Sequence, residues 1–230
     1  MPACVLAPST DRRSVRTRAA LRLALAQEID ATGDLSRVTV TAVTERAGVT
    51  RRTFYSHYKD IPDLVTQIED ETLSDLRVHV DRIAQIHLGS LAESLDERQP
   101  APGSEDLLRS VQERGDYLRP LLGMGGDPAF AERLKSMVYD AVVGRALDGI
   151  DARALGAFFD YYLTFAISAE VGVLLRWLEG GMRESVEAMA RLMTALMFVR
   201  PGDLYGKPIE FDIPSFALAI MRCEERHNVR

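Results

Sequence analysis

The sequence predicts an all-α protein in which a small three-helix head, containing a helix-turn-helix, precedes a larger helical body. Three observations support this prediction. Apolar residues recur at intervals of three and four along most of the chain, which is the spacing of one helix face. Glycine and proline separate these stretches, as they do at helix ends. No segment shows the alternation of apolar and polar residues that is typical of a half-buried strand.

Three helices are predicted in the first 60 residues. The first covers residues 12–32 and is ended by Gly33, and its apolar face is expected to contain Val15, Ala19, Leu23 and Ala26. The second covers residues 40–47, with Thr39 as its N-cap and Gly48 at its end. The third is the short segment "RRTFYSHY", which Thr50 can cap.

The remaining helices form the body. A fourth helix begins near Pro62, a favoured first-turn residue, and is expected to reach about Leu95. Further helices are predicted over residues 104–115, 128–147, 152–178 and 182–199, and residues 214–227 are a candidate last helix. The segment "LRPLLGMGGDP", residues 118–128, is interpreted as a turn-rich link.

Composition indicates a folded protein of the cytoplasm. The chain is 47% hydrophobic and 27% charged, which suits a packed core. Cys4 and Cys223 lie too far apart for metal-ligand spacing or a disulfide framework, as expected in a reducing compartment. The N-terminus lacks the apolar run of a signal peptide. Charged residues interrupt the most apolar segment, residues 158–178, so no membrane association is predicted.

Charge is divided unevenly along the chain. Residues 1–59 contain ten Lys or Arg and five Asp or Glu, a net charge of +5, whereas residues 60–230 have a net charge of −11. A basic head on an acidic body suggests that only the head meets a polyanion.

The basic residues of the head concentrate in "VTERAGVTRRTFYSHYKD", residues 43–60. Two short helices joined by Gly48-Val49-Thr50 form a helix-turn-helix, because glycine permits the backbone of a tight turn. The second helix can enter a DNA major groove, where arginine binds a guanine edge with two hydrogen bonds. Threonine, tyrosine and histidine can bind phosphates.

This stretch resembles the TetR family of bacterial transcription regulators over about residues 13–65, in the pieces "AGVTRRTFYSHYKD" and "DLV". The resemblance implies a DNA-binding head whose fourth helix leads to a body with a small-molecule pocket and a dimer interface in its last two major helices. It implies that Arg51, Arg52 and Tyr55 face bases. It further implies that caps, phosphate contacts or the helix junction involve Thr39, Thr50, Thr53, His57, Tyr58 and Lys59.

One position departs from the family pattern. The family usually has a phosphate-binding lysine where this chain has Ile61, so that contact is in doubt. Lys59 is one substitute, and Arg12, Arg13, Arg16 and Arg18 are others. Two roles are compatible with His57, a phosphate contact and a helix-end cap. Phe54 and Tyr58 fit the core between the helices better than a DNA contact.

Two apolar sets are predicted in the body. An aromatic and methionine-rich pocket for an apolar or planar ligand is expected to use Met124, Tyr139, Val143, Phe158, Tyr161, Tyr162 and Phe165, although such residues usually fill a core. The segment around Trp177 and "EGGM" resembles paired C-terminal helices of one family branch. A four-helix dimer interface is expected to use Val171, Leu174, Leu175, Leu178, Val186, Met189 and Met193, and the alternative for them is the monomer core.

Catalytic and metal-binding signatures are absent from the sequence. "GMGG" at residues 123–126 is too short for a dinucleotide fingerprint, and no Gly-x-Ser-x-Gly occurs. His79 and His87 are eight residues apart, not the four that bring two ligands together on a helix. No enzyme, cofactor or metal is therefore predicted.

The sequence thus predicts a ligand-responsive regulator, a repressor that binds a near-palindromic operator in double-stranded DNA as a homodimer. The expected domains are a DNA-binding head (residues 12–60), a ligand-binding and dimerisation body (residues 61–200) and a tail (residues 201–230). The effector is not identified by the sequence. The alternative is a co-regulator without DNA binding that acts through a protein partner; a small helical enzyme has no supporting residues.

Overall fold

The computed structural model describes residues 9–86, 90, 93–94, 97–146 and 152–197, and for residues 9–11, 145–146 and 152–159 it describes the backbone alone. All regular structure in those ranges is helical, which confirms the all-α class. The candidate helix over residues 214–227 and the predicted tail lie outside them.

The head contains α1 (Ser9–Thr32), a 3₁₀ turn (Leu35–Arg37), α2 (Val40–Ala47) and α3 (Arg51–Tyr55). The helices of the body are α4 (Ile61–Ala84), α5 (Ser104–Gln112), α6 (Gly115–Leu122), α7 (Pro128–Ala146), α8 (Ala152–Glu179) and α9 (Val186–Leu196).

Most predicted boundaries agree with these bounds within a few residues, but α4 ends at Ala84, eleven residues before the predicted Leu95, and α6 is missing from the prediction. The turn-rich link predicted over residues 118–128 is helical as far as Leu122, with Pro120 inside the helix. Tyr117, Leu118 and Leu121 are all buried, and α6 packs along α1. Burial of this apolar face outweighs the weak helix preference of a segment that contains proline.

The apolar face predicted for α1 is correct only at Ala26, which is buried. Val15, Ala19 and Leu23 are exposed, whereas Leu21, Leu25 and Ile29 are almost fully buried. The helix contains two apolar stripes, and its packing against α2 and α6 selects the second. Beside that stripe, the buried Glu28 accepts a hydrogen bond from Nε of Arg46 on α2 at 2.5 Å.

The helices of the body pack around one core. α4 contacts α5 and α7, α8 contacts α6 and α7, and α9 contacts α5. Between α8 and α9, the buried Trp177 donates its indole N–H to the carbonyl of Glu184 at 3.2 Å. This bond closes the "EGGM" turn, so α9 begins at Val186, four residues later than predicted.

Candidate nucleic-acid interface

The helix-turn-helix is formed by two capped helices around one glycine. The hydroxyl of Thr39 accepts from the amide of Ala42 at 3.2 Å, and that of Thr50 accepts from the amide of Thr53 at 3.1 Å. Gly48 lies between them at φ 66°, in the left-handed region that side chains disfavour. These caps define the direction in which α3 leaves the turn.

Two aromatic rings fill the space behind α3. Phe54 is fully buried and Tyr58 is 5% exposed, with their ring centroids 5.7 Å apart. Both therefore belong to the head core. Tyr58, which had been included among the predicted DNA-binding residues, lies at the helix junction.

The outer face of α3 carries side chains suited to base reading. Arg51 and Arg52 are exposed, and Tyr55 is 57% exposed with its ring edge against Phe54. The guanidinium of Arg51 donates a hydrogen bond to the hydroxyl of Thr41 on α2. Sequence reasoning missed Thr41, because an interval of ten residues across a turn does not by itself predict a contact.

The residues that follow α3 have different environments. The amide of His57 donates to the carbonyl of Phe54 at 2.9 Å, and its side chain is half-buried. Lys59 is exposed, and its amide donates to the Asp63 carboxylate at 2.8 Å. That bond is the main cause that lowers the pKa of Asp63. Thr53 is half-buried, with its hydroxyl 2.9 Å from that of Thr50.

The start of α4 carries negative charge. Asp60 caps the helix through the amide of Asp63 at 2.8 Å, so two carboxylates lie at its first turn. Ile61 is 9% exposed and belongs to the core. An apolar side chain beside two carboxylates does not favour a phosphate at this helix end.

The arginines near the start of α1 separate into two groups. Arg18 and Arg22 lie 3.2 and 3.9 Å from the two carboxylate oxygens of Glu71 on α4. Arg22 also lies over the ring of Tyr117, 4.6 Å from its centroid. The second group is exposed and comprises Arg12, Arg13 and Arg16.

The predicted pocket residues do not line a common cavity. Met124 is fully exposed in the turn before α7. Tyr161, Tyr162 and Phe165 are 72%, 47% and 71% exposed on α8. Tyr139 and Val143 are half-buried on α7, and the Tyr139 hydroxyl donates to Asp160 at 2.5 Å. The side chain of Phe158 lies outside the described residues.

The described part of the body contains an open groove of about 670 Å³ between α4 and α7. It has an apolar floor and charged walls, and it is lined by Leu73, Ser74, Arg77, Ala129, Glu132, Arg133, Ser136, Met137 and Asp140. None of the predicted pocket residues is among them. The charged positions were not found from the sequence because they look like the solvated face of two helices.

A buried carboxylate lies beside this groove. Glu69 is 2% exposed and accepts from Nη1 of Arg133 at 2.6 Å, while Nη2 of Arg133 donates to Asp70. Burial above all, together with the negative charge of Asp127, raises the pKa of Glu69 to about 7, although Arg133 opposes both effects. Its other oxygen, Oε1, is buried without a hydrogen-bond partner among the described atoms.

The predicted dimer stripes face the interior of the chain. Four of their residues are buried in the core of the single chain: Val171, Leu174 and Leu178 on α8, and Met189 on α9. A place in the monomer core, the alternative interpretation, therefore fits these four better than a dimer interface. The other predicted residues are half-buried and pack against that core: Leu175, Val186 and Met193. The apolar side chains that α8 and α9 expose are Tyr161, Tyr162, Phe165, Leu192 and Leu196. Helical period alone cannot decide which of two apolar faces turns inward.

The described residues contain no group of three or more His, Cys, Asp or Glu side chains placed to hold a metal ion. His79 is half-buried with a buried Nδ1, and His87 lies outside them. None of the described helices is long and apolar enough to cross a membrane.

Part of this chain is similar to known transcriptional regulators. Residues 98–198 match the family model of a transcriptional regulator C-terminal region, TetR_C_8. A TetR transcriptional regulator from Streptococcus agalactiae 2603V is 22% identical, with a TM-score of 0.49 over 82% of this chain and 97% of that chain. A TetR family transcription regulator from Marinobacter aquaeolei VT8 is 19% identical, with a TM-score of 0.38 over 81% and 97%. No curated protein sequence matches.

Proposed function

We propose that this chain, a member of the TetR family of transcriptional regulators, is a homodimeric repressor whose operator binding is released by a small effector. Membership of this family supports a DNA-binding transcriptional regulator. We assign residues 12–60 to the DNA-binding head and residues 61–200 to the body. The site of action is then the cytoplasm, where the DNA is.

The outer face of α3 carries the proposal of operator reading. Arg51, Arg52 and Tyr55 project from a helix held by the Thr50 cap and the buried Phe54. The two arginines suit guanine edges, and the exposed aromatic ring suits a thymine methyl group or a phosphate. Lys59 and the exposed arginines of α1 are placed on the basic head, and we propose that they supply phosphate contacts in place of the lysine absent at Ile61.

The exposed apolar side chains of α8 and α9 support the dimer. A stripe with Tyr161 and Phe165 continues to Ala169 and Gly172, both exposed, so a partner helix can approach closely. Apolar surface of this kind marks an interaction site. A two-fold dimer presents two heads, which a near-palindromic operator requires.

The groove between α4 and α7 is the proposed effector site. Its floor of Leu73 and Met137 suits an apolar body, and Arg77, Arg133 and Asp140 offer charged partners at its walls. We therefore propose a ligand with an apolar part and a polar group. Binding would act on operator affinity through α4, which runs from the groove to the head.

Selection of bound duplexes from a random DNA pool, at one fixed salt concentration, tests operator reading. The wild type should enrich a palindromic consensus, and the double variant with Arg51→Ala and Tyr55→Ala should lose it. Arg109→Ala removes an exposed arginine of the body and should leave the consensus unchanged. A consensus that survives in the double variant would contradict the proposed reading face.

A co-regulator that binds a protein instead of DNA remains the second candidate. The buried Ile61 beside Asp60 and Asp63 favours it, since this helix start does not suit a phosphate. If the wild type enriches no sequence at low or moderate salt, this second function replaces the first.

A further inference from the structure

The "GMGG" turn of residues 123–126, between α6 and α7, reaches the head. The amide of Leu35, which begins the 3₁₀ turn after α1, donates to the carbonyl of Gly125 at 2.7 Å. A backbone hydrogen bond therefore joins head and body at a point 90 residues apart in the chain. We call residues 123–126 the glycine clasp.

Gly125 lies against the head so closely that a side chain would not fit. A Cβ atom added there would lie 2.4 Å from the carbonyl oxygen of Gly33 and 2.7 Å from its carbon. Those are backbone atoms. Gly33 is held in turn, because its amide donates to the carbonyl of Ile29 at 2.8 Å. Alanine at position 125 would therefore displace the end of α1 or the clasp itself.

Side chains on either side of the clasp add to the same contact. Nη2 of Arg119 on α6 lies 2.7 Å from Oδ2 of Asp30 on α1, and both side chains are 48% exposed. Two residues earlier, the ring of Tyr117 lies under Arg22, and its hydroxyl is 3.2 Å from that of Thr72 on α4. Residues 117–125 thus contact α1, α4 and the start of the 3₁₀ turn.

The clasp also leads to the groove wall. Asp127 follows it directly, donating its amide to the carbonyl of Leu121 at 2.9 Å and accepting from the amide of Ala129 at 2.8 Å. Its negative charge raises the pKa of the buried Glu69, whose carboxylate accepts a hydrogen bond from Arg133 of the groove. The clasp therefore lies between the head and the residues beside the groove.

We propose that the glycine clasp fixes the orientation of the head on the body and so determines which spacing of half-sites the dimer accepts. The proposal rests on the proposed operator-binding dimer. It separates two tasks: the outer face of α3 reads the bases, and the clasp positions that face. Loosening the clasp should change the spacing preference and leave the base preference intact.

The test uses a DNA pool in which the selected half-site is repeated in inverted pairs with variable separation. The wild type should enrich one separation. Gly125→Ala should keep the half-site sequence, broaden or shift the separation and bind the wild-type spacing several-fold more weakly. The matched control is Gly144→Ala on α7, where an added Cβ meets nothing within 4 Å. An unchanged separation in a folded Gly125→Ala variant would overturn the proposal.

A milder variant covers the case in which Gly125→Ala does not fold. Arg119→Ala removes an exposed ion pair and should lower affinity for the wild-type spacing about two- to fivefold, with the half-site unchanged. Exchanging the charges, with Asp30→Arg and Arg119→Asp together, should restore it. If Gly125→Ala does not fold and Arg119→Ala binds the wild-type spacing as tightly as the wild type does, the clasp is refuted.

Amide hydrogen exchange of the full chain tests the clasp without DNA. The Leu35 amide should be protected in the wild type and in Gly144→Ala, and should exchange faster in Arg119→Ala and Gly125→Ala. An unprotected Leu35 amide in the wild type would refute the clasp. Absence of any selected DNA would instead refute the operator-binding dimer, so the two failures are distinguishable.

Discussion

The guanidinium of Arg51 donates a hydrogen bond to the hydroxyl of Thr41, which joins the reading helix α3 to α2. Arg51 is exposed, so in the absence of this acceptor its side chain would sample several rotamers. Thr41 therefore restricts Arg51 before DNA arrives, and restriction of this kind reduces the entropy cost of binding.

Thr41→Val should weaken operator binding about fivefold, because a typical intramolecular hydrogen bond contributes about 0.5–1.5 kcal/mol net. Thr41→Ser keeps the hydroxyl and should bind like the wild type. Fluorescence anisotropy of a labelled operator measures both. In combination with Arg51→Ala, the valine substitution should add nothing; full additivity would show that Thr41 acts independently of Arg51.

Thr50→Ala should lower the free energy of unfolding by about 1 kcal/mol, because it removes the acceptor for the Thr53 amide at the start of α3. Urea denaturation followed by circular dichroism measures the loss. Thr66→Ala, an exposed position within α4, is the matched control and should change stability little. Equal effects of the two substitutions would show that the cap contributes nothing.

Glu69→Gln should flatten the pH dependence of stability. The folded-state pKa of Glu69 is about 7, above the ordinary value of 4.5, so the folded protein retains a proton that the unfolded chain releases. Its stabilising contribution is complete below pH 4.5 and is lost as the pH rises to about 7. Melting temperatures between pH 4.5 and 8 for wild type and variant check this.

The difference between the two proteins isolates Glu69. Burial also raises the pKa of Glu170 to about 7, so Glu69→Gln should retain the part of the slope that Glu170 causes. The stability of the variant relative to the wild type should rise with pH through this interval. A constant difference across the interval would mean that Glu69 is ionised throughout.

Phe165→Asp should weaken dimerisation by roughly tenfold or more, because an aromatic side chain at the centre of an interface typically contributes about 2 kcal/mol or more. Phe165 is 71% exposed on α8. Val78→Asp is the matched control, since Val78 is 59% exposed on α4, away from that helix. Sedimentation equilibrium measures both constants. Equal weakening by both substitutions, or no weakening by either, would contradict the assigned interface.

Ser136→Trp should abolish release of the operator by an effector while leaving operator binding intact. Ser136 lines the groove and is exposed, so an indole ring there would block part of the groove without disturbing the core. A compound screen for displacement of a labelled operator supplies the effector, and a titration on the variant supplies the test. Unchanged release would place the effector elsewhere in the body.

The local sequence determined the parts of this protein that depend on neighbouring residues. Thr39, Gly48 and Thr50 define the ends of α2 and α3 through hydrogen bonds and backbone preferences that span three or four residues. The helix-turn-helix and the exposed position of Arg52 follow from these local preferences, together with the family resemblance. The helical class follows from the spacing of apolar residues.

Only the tertiary structure decided which apolar faces turn inward and which distant residues meet. The chain offers two stripes on α1 and two on α8, and the packing of α1 against α6 and of α8 against α6 and α7 buries one of each. The same packing makes α6 helical despite Pro120 and brings Gly125 against Gly33. Burial of apolar area is a sum over the whole chain, so no local pattern encodes these choices.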